Sequence, residues 1–409
     1  MNKLIEKKHF VCTDLEKNSN KYWIIERFDD NSVKTSYGRV GDSGQSTTKN
    51  FSSTSEAEKF FNTKVKEKSK IKSRRDAYTE IHILDDMVVT KSPTRHISDL
   101  AAEQIETSSE DVRKLVRWFS DINIHNIVSS TSVSYNITEG CFRTPLGVVD
   151  QSCISNAKVL LNEISQFPDK ETKECLKKIN LYLRYVPQDL GSSHQKIQIK
   201  NVFGSGDLLQ KQADILEGLE AAISSAKPSE TNEVSERVFN TKLDIVKNED
   251  EISKLKERFA SHCNYSRING VYTVSIKDVV DRFVTHGLSV GNRTELWHAT
   301  NPRNILSIFK SGLIIPTKYS NGWNHGAGIY FSDRSSKSMK YLSKDNRNGH
   351  SYGYMFVGDV ALGNVYYDEG NSSLDGRYNC RWAYKGQSDS QIIVYNTGQV
   401  NLLYLLEIV

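Results

Sequence analysis

The stretch Gly326-Ala-Gly-Ile-Tyr-Phe-Ser-Asp-Arg-Ser-Ser-Lys-Ser-Met-Lys-Tyr341 constrains this chain more than any other. Gly326 and Gly328 flank a single residue, and glycine allows backbone conformations that other residues adopt only at a cost. Such a pair marks a tight approach of one backbone to another. Ile-Tyr-Phe then reads as a short strand, and Asp333 through Tyr341 as a turn entering a helix. Tyr330 on the strand, with Ser338 and Tyr341 one turn apart on the helix, gives two aromatic faces and a hydroxyl converging on one cleft. Two further strands bring polar residues: Glu295-Leu-Trp-His298-Ala-Thr300, and Ser390-Gln391-Ile-Ile-Val-Tyr395. Alternation along the latter puts Gln391, Ile393 and Tyr395 on one face, with Asp389 two residues upstream on the same side.

The rest of the chain falls into three regions. Residues 9–51 alternate apolar and polar in short runs, separated by the turn chemistry of Asp29-Asp-Asn31 and Gly41-Asp-Ser-Gly44, which predicts a small antiparallel sheet. Ala57, Phe60, Phe61 and Val65 share one helical face over Glu56 to Lys68. Residues 85–97 have no period and read as a linker. From Ile97 to about Ala226 the spacing is helical, as in Val112, Leu115, Val116 and Phe119, and in Ile154, Ala157, Leu160, Leu161 and Ile164. The polar run Lys227-Pro-Ser-Glu-Thr-Asn-Glu233 is a second boundary. Beyond it, strands over Leu243 to Val246 and Gly270 to Phe283, with a helix from Glu249 to about His262, predict an α+β sheet fold. The expected domains are therefore 1–84, 97–226 and 235–409.

Composition limits the function classes. No apolar run is long enough for a membrane span, and the N-terminus lacks the apolar core of a secretory signal. The six cysteines, Cys12, Cys141, Cys153, Cys175, Cys263 and Cys380, form no Cys-x-x-Cys pair. That points to reduced thiols in an intracellular compartment and to no structural metal. The net charge of +4 is unevenly placed: residues 1–80 hold 17 Lys plus Arg against 12 Asp plus Glu. Lys59 to Arg75 carries eight basic residues and only Glu67 as an acid, a solvated helix face or a surface for a phosphate backbone.

The His298, Tyr330 and Gln391 strands resemble the His-Tyr-Glu constellation of the poly(ADP-ribose) polymerase family. Ser36-Tyr37-Gly38-Arg39-Val40-Gly41, with the helix after it and Ala77-Tyr-Thr-Glu-Ile81, resembles a WGR domain in which Tyr37 stands for the tryptophan. Thr144-Pro-Leu-Gly147, placed at the opening of a helix, and Tyr182 to Gly191 resemble parts of the helical regulatory domain of DNA-dependent members. The resemblance implies a β-rich WGR module, an all-α regulatory bundle and an α+β ADP-ribosyltransferase domain. It also implies that Tyr37 and Arg39 lie near a DNA end or nick.

By the same resemblance the substrate is NAD, cleaved at its nicotinamide bond so that ADP-ribose passes to a protein or nucleic-acid acceptor, with no metal. His298 would hold the adenine-side ribose and Tyr330 the nicotinamide-side ribose. Tyr341 would stack on nicotinamide, and Ser338 and the backbone of Ala299 would bond its carboxamide. Asn304 matches an asparagine beside the site, and Tyr319 to His325 would cover the donor. Gln391 departs from the family, whose glutamate stabilises positive charge on the ribose and activates the acceptor hydroxyl. An amide supplies no charge, and the segment from Tyr367 to Ser390 is short for a builder of long polymers. Three readings follow: a DNA-end-responsive transferase adding one or few units, a DNA-end-binding pseudoenzyme, or an engineered Glu-to-Gln form of an active polymerase. Asp389, or an accessory factor, is a candidate source of the missing carboxylate. The compartment would be nuclear in a eukaryote and cytoplasmic in a bacterium or virus.

Overall fold

The computed structural model describes residues 2–15, 19–40, 44–70, 78–81, 96–136, 141–144, 147–188, 199–225, 239–264, 266–315, 325–370 and 374–409. It divides into two compact units, Met1–Arg95 with Ile127–Leu216, and His96–Asn126 with Glu217–Val409.

The first unit opens with a five-stranded antiparallel sheet in the order β4-β3-β2-β1-β5. Its strands are β1 (Leu4–Asp14), β2 (Ser19–Phe28), β3 (Ser32–Arg39), β4 (Gln45–Asn50) and β5 (Thr79–Ile81). The β2–β3 turn works because Asn31 takes a left-handed φ of 62° and the Asp30 carboxylate accepts from the Ser32 amide at 3.0 Å. One face of this sheet buries Phe10, Trp23, Ile25 and Val33 against Ala57 and Phe61 of the helix Thr54–Ser69. Ser53 caps that helix by accepting from the Glu56 amide at 3.3 Å, while Glu56 accepts from the Ser52 amide at 3.1 Å. The sheet and helix expected from alternation and spacing are both present.

The all-α expectation for the region after residue 97 is not met. Among its helices lies a three-stranded sheet of β6 (Ser134–Asn136), β7 (Cys141–Thr144) and β8 (Gly147–Val148). Tyr135 and Phe142 pair across β6 and β7 with ring centroids 5.2 Å apart, a contact that two-residue alternation makes and helical spacing does not. The following helix, Gln151–Gln166, is opened by Asp150, which accepts from the Cys153 amide at 2.8 Å, and Pro145 and Leu146 of the segment expected to open it lie outside the described residues. Its buried stripe of Ile154, Ala157, Leu161 and Ile164 faces the helix Lys173–Tyr185, which buries Leu176, Ile179 and Leu183.

The second unit is built on two sheets. The larger runs β11-β14-β18-β10-β9, with β13 pairing β14. Its strands are β9 (Thr241–Ile245), β10 (Ile268–Ile276), β11 (Arg293–Thr300), β13 (Lys344–Arg347), β14 (His350–Ala361) and β18 (Val400–Ile408). The smaller runs β12-β17-β16-β15, from β12 (Ile329–Phe331), β15 (Val365–Tyr366), β16 (Cys380–Ala383) and β17 (Gln391–Val394). The strand predicted over Gly270 to Phe283 stops at Ile276. Lys277–Arg282 is helical instead, with Lys277 bonding Asp281 one turn on.

The helix Glu110–Ser130 contributes residues 110–126 to this unit, and its apolar stripe joins the core of the larger sheet. Phe119 meets Tyr354 edge-on at 4.9 Å and Phe309 at 6.1 Å, and Trp118 donates to the Asn346 carbonyl at 3.1 Å. Below it Glu407, 1% exposed, is paired with Arg347 and accepts from the Tyr354 hydroxyl at 2.7 Å and the Asn269 amide at 2.6 Å. Among the described residues no helix is long and apolar enough to cross a membrane, and no group of three or more His, Cys, Asp or Glu is placed to hold a metal.

A carboxylate this deep is tolerated only with its cation in place. Arg347→Met should therefore cost about 3 kcal/mol. Hydrogen exchange of the β14 and β18 amides is the readout, and protection there should fall by about two orders of magnitude.

Candidate active site

Two backbone bonds join the sheets of the second unit. The Trp297 amide donates to the Ser332 carbonyl at 2.9 Å, and the Ser332 amide donates to the Trp297 carbonyl at 3.0 Å. Around this bridge the predicted residues assemble. His298, next along β11, turns its Nδ1 to the Tyr330 carbonyl at 2.8 Å. A carbonyl only accepts, so Nδ1 carries the proton and the Nε2 lone pair is left to accept from a hydroxyl. Burial holds this imidazole below its ordinary value, outweighing the Tyr330 carbonyl, which acts the other way.

Tyr330 lies on β12, opposite Ile393 of β17. Its hydroxyl donates to the Gly326 carbonyl at 2.7 Å, and burial pushes it up to about 12, so it stays a neutral hydroxyl at physiological pH. Both glycines are required. Gly326 has φ +86°, and a Cβ on Gly328 would stand 2.5 Å from Ile393 Cγ2.

Ser338 is buried on the short helix Ser335–Met339 and donates to the Trp297 carbonyl at 3.1 Å, one residue before His298. Ser335 anchors the helix by donating to the Phe259 carbonyl at 2.6 Å. The helix is shorter than its sequence suggests, because Tyr341 sits in the turn after it, its amide on the Ser338 carbonyl at 3.0 Å. Tyr341 is 61% exposed, an open aromatic face with Lys337 Nζ 5.4 Å from its centroid. Ala299 is half-buried opposite Met355, and Asn304 ends the 3-10 turn Pro302–Asn304 that follows β11. Tyr319 to Asn324, expected to cover the donor, lie outside the described residues.

Gln391 begins β17, opposite Ala383 of β16, and shares the face of Ile393 and hence of Tyr330. It is half-buried, and its amide has no hydrogen-bond partner among the described residues. Asp389 is not part of that strand. It lies in the turn before the strand, where alternation does not apply, and its carboxylate accepts from Lys340 at 2.7 Å and Lys337 at 3.2 Å. Those hydrogen bonds hold it below the usual carboxylate range. A carboxylate bound to two ammonium groups is poorly placed to act as a free carboxylate in the site.

Sequence reasoning missed His325 as a tie. Its amide meets the Tyr330 hydroxyl at 3.3 Å, its carbonyl accepts from Tyr395 at 2.7 Å, and Nδ1 donates to the Gly370 carbonyl at 2.9 Å. A histidine beside two tyrosines gives no period or motif that would have marked it.

In the first unit Tyr37 and Arg39 lie on β3, opposite Trp23 and Lys21 of β2. Tyr37 is 41% exposed and donates to the Gln45 side chain at 3.2 Å, and Arg39 is half-buried. Gly38 between them is required by close approach, since a Cβ there would stand 2.8 Å from Gly44 Cα. Lys59, Lys66 and Lys70 are exposed on the helix Thr54–Ser69 and its cap, whereas Lys72, Arg74 and Arg75 lie outside the described residues.

Comparisons with known proteins find two matching domains. Residues 6–79 match the WGR domain, and residues 249–379 match the poly(ADP-ribose) polymerase catalytic domain. The chain is 27% identical over 396 residues to the mouse protein mono-ADP-ribosyltransferase PARP3, covering 86% of this chain and 71% of that protein. It is 25% identical over 393 residues to the Drosophila melanogaster poly [ADP-ribose] polymerase, covering 86% of this chain and 37% of that one. Poly [ADP-ribose] polymerase 2 of Arabidopsis thaliana is 24% identical over 391 residues, covering 86% of this chain and 59% of its own. By class, then, the protein is an NAD ADP-ribosyltransferase. It belongs to the poly(ADP-ribose) polymerase family. The catalytic match takes in His298, Ala299, Asn304, Tyr330, Ser338 and Tyr341 but ends before Gln391.

The His298 environment makes a pH prediction. In the unfolded chain the imidazole takes its proton near the ordinary value of 6.5, and in the folded chain only at lower pH. Between the two values the unfolded state binds the proton and the native state does not, so this contribution to stability is lost as pH falls through that window. NMR titration of the ring carbons should show His298 taking its proton below its ordinary value, and a normal titration would contradict the assignment.

Proposed function

We propose that the protein is an NAD-dependent ADP-ribosyltransferase that responds to DNA ends and adds one or few ADP-ribose units to its acceptor. The observation that carries this reading is the junction at Trp297 and Ser332, which draws His298, Tyr330 and Ser338 together and leaves an uncharged amide at position 391.

The donor set suits a dinucleotide with ribose hydroxyls and a carboxamide. His298 offers a neutral Nε2 to accept from a ribose hydroxyl, and the Tyr330 hydroxyl orients the second ribose. Tyr341 offers an open ring to the nicotinamide, while the Ser338 hydroxyl and the Ala299 backbone take its carboxamide. The Ala299 methyl narrows that pocket. Asn304 lies on the turn beside it. Gln391 faces the reacting ribose but brings no charge, so positive charge developing there lacks its usual counter-charge. That favours slow single transfers over chain growth, to a protein or nucleic-acid acceptor.

For the DNA response, Tyr37 supplies a stacking face, and Arg39 with the basic helix supplies phosphate contacts. The region 97–226 is assigned the restraint that DNA relieves, as in DNA-dependent members of the family. Its packing supports such a role, since residues 110–126 sit directly on the sheet that carries His298.

Two experiments test this. Gln391→Glu is nearly isosteric and should raise NAD turnover about 100-fold and lengthen the products, read by labelled NAD and gel. No NAD binding or turnover in either form would favour a DNA-end-binding pseudoenzyme. Separately, alanine at Arg39, Lys59, Lys66 and Lys70 together should weaken binding to blunt or nicked DNA at least about tenfold at moderate salt and flatten its salt dependence. Unchanged affinity would make the basic run a solvated face only.

A further inference from the structure

The pairing of β12 with β17 runs from Ile329↔Val394 to Phe331↔Ile392 and stops one residue short of Gln391. On that side, then, no ladder pair holds residue 391. What stands there instead is a side-chain bond: Ser332 Oγ donates to the Ser390 carbonyl at 2.7 Å. The rotor of Ser332 is fixed, because the same oxygen accepts from the Arg334 amide at 3.0 Å and so has its hydrogen free for Ser390. On the other side the Trp382 indole donates to the Ser390 hydroxyl at 2.9 Å. Ser332 is 2% exposed and Ser390 is fully buried. Ser332 is in turn bonded through both backbone groups to Trp297, the residue before His298. The Gln391 side-chain amide makes no bond of its own among the described residues, so its place is set by its backbone, paired with Ala383 on one side and tied through its neighbour Ser390 on the other.

We propose that Ser332, Ser390 and Trp382 form a positioning unit that holds residue 391 in register with the His298–Tyr330 pair. The unit acts through the backbone at Ser390, so it serves a glutamine or a glutamate at 391 equally. This inference rests on the transferase reading above. Each of its members acts through residue 391.

The test is a double-mutant cycle on the full chain with labelled NAD. Ser332→Ala should lower kcat about tenfold with the KM for NAD changed less than about twofold, since misplacing a reacting group costs rate rather than donor binding. Ser332→Thr keeps the hydroxyl and should recover most of the loss. Trp382→Phe removes only the indole donor, provides a second variant should Ser332→Ala fail to fold, and should lower kcat severalfold with the same KM. The decisive arm adds Gln391→Glu. Its gain of about 100-fold should shrink below about tenfold in the Ser332→Ala or Trp382→Phe background, because a displaced carboxylate no longer faces the developing charge. The full gain in both backgrounds, or a lower melting temperature with kcat unchanged, would overturn the positioning role alone. No turnover in any form would overturn the transferase reading and this inference with it.

Discussion

The pair of backbone bonds between Trp297 and Ser332 is the constraint on which the site depends. Each sheet of the second unit is complete in itself, and this bridge fixes where the edge of one meets the edge of the other. The Trp297 carbonyl accepts from both Ser332 and Ser338, so strand β12 and the helix after it are registered on the same residue. His298 follows Trp297 and reaches Tyr330 by a single bond. The left-handed backbone at Gly326 and the bare backbone of Gly328 are what let β12 approach β17 closely enough to complete the arrangement.

Charge then decides what such a site does well. The half-buried imidazole of His298 and the raised Tyr330 hydroxyl are both neutral at physiological pH, which under the proposed function suits them to ribose hydroxyls. The nearest carboxylate before β17, Asp389, is spent on Lys337 and Lys340. Under the proposed function, the amide at position 391 stands where charge would matter most. On that proposal the site favours donor binding and orientation over electrostatic acceleration, and that asymmetry underlies the single-transfer reading.

Much of this is legible in the sequence, for physical reasons. Gly326, Gly328 and the Ile-Tyr-Phe triplet mark a strand under close approach, and β12 is that strand. Period-two runs in residues 9–51 and the Ala57-Phe61 stripe have one packing solution, and the chain adopts it. Elsewhere local pattern carries too little information. Asp389 aligns with Gln391 only if the strand extends back to it, and the turn breaks that alternation. The strand expected over Gly270 to Phe283 gives way to helix at Lys277, where exposed charged residues favour Lys277–Asp281 pairing. The small sheet β6–β8 is hidden inside a helical region because its strands are too short to show a period. Ser332 stands within the most informative stretch, yet its role arises from Trp382 and Ser390, some fifty residues further on.

If the site works as proposed, NAD binds at the Trp297–Ser332 junction with its nicotinamide between Tyr341 and the Ser338 hydroxyl. A crystal structure with an unreactive NAD analogue tests this most directly. The prediction is a carboxamide bonded to Ser338 and the Ala299 backbone, a ring stacked on Tyr341, and a ribose hydroxyl on His298 Nε2. An analogue bound elsewhere, or a His298 Nε2 without a ribose partner in a fully occupied complex, would contradict it.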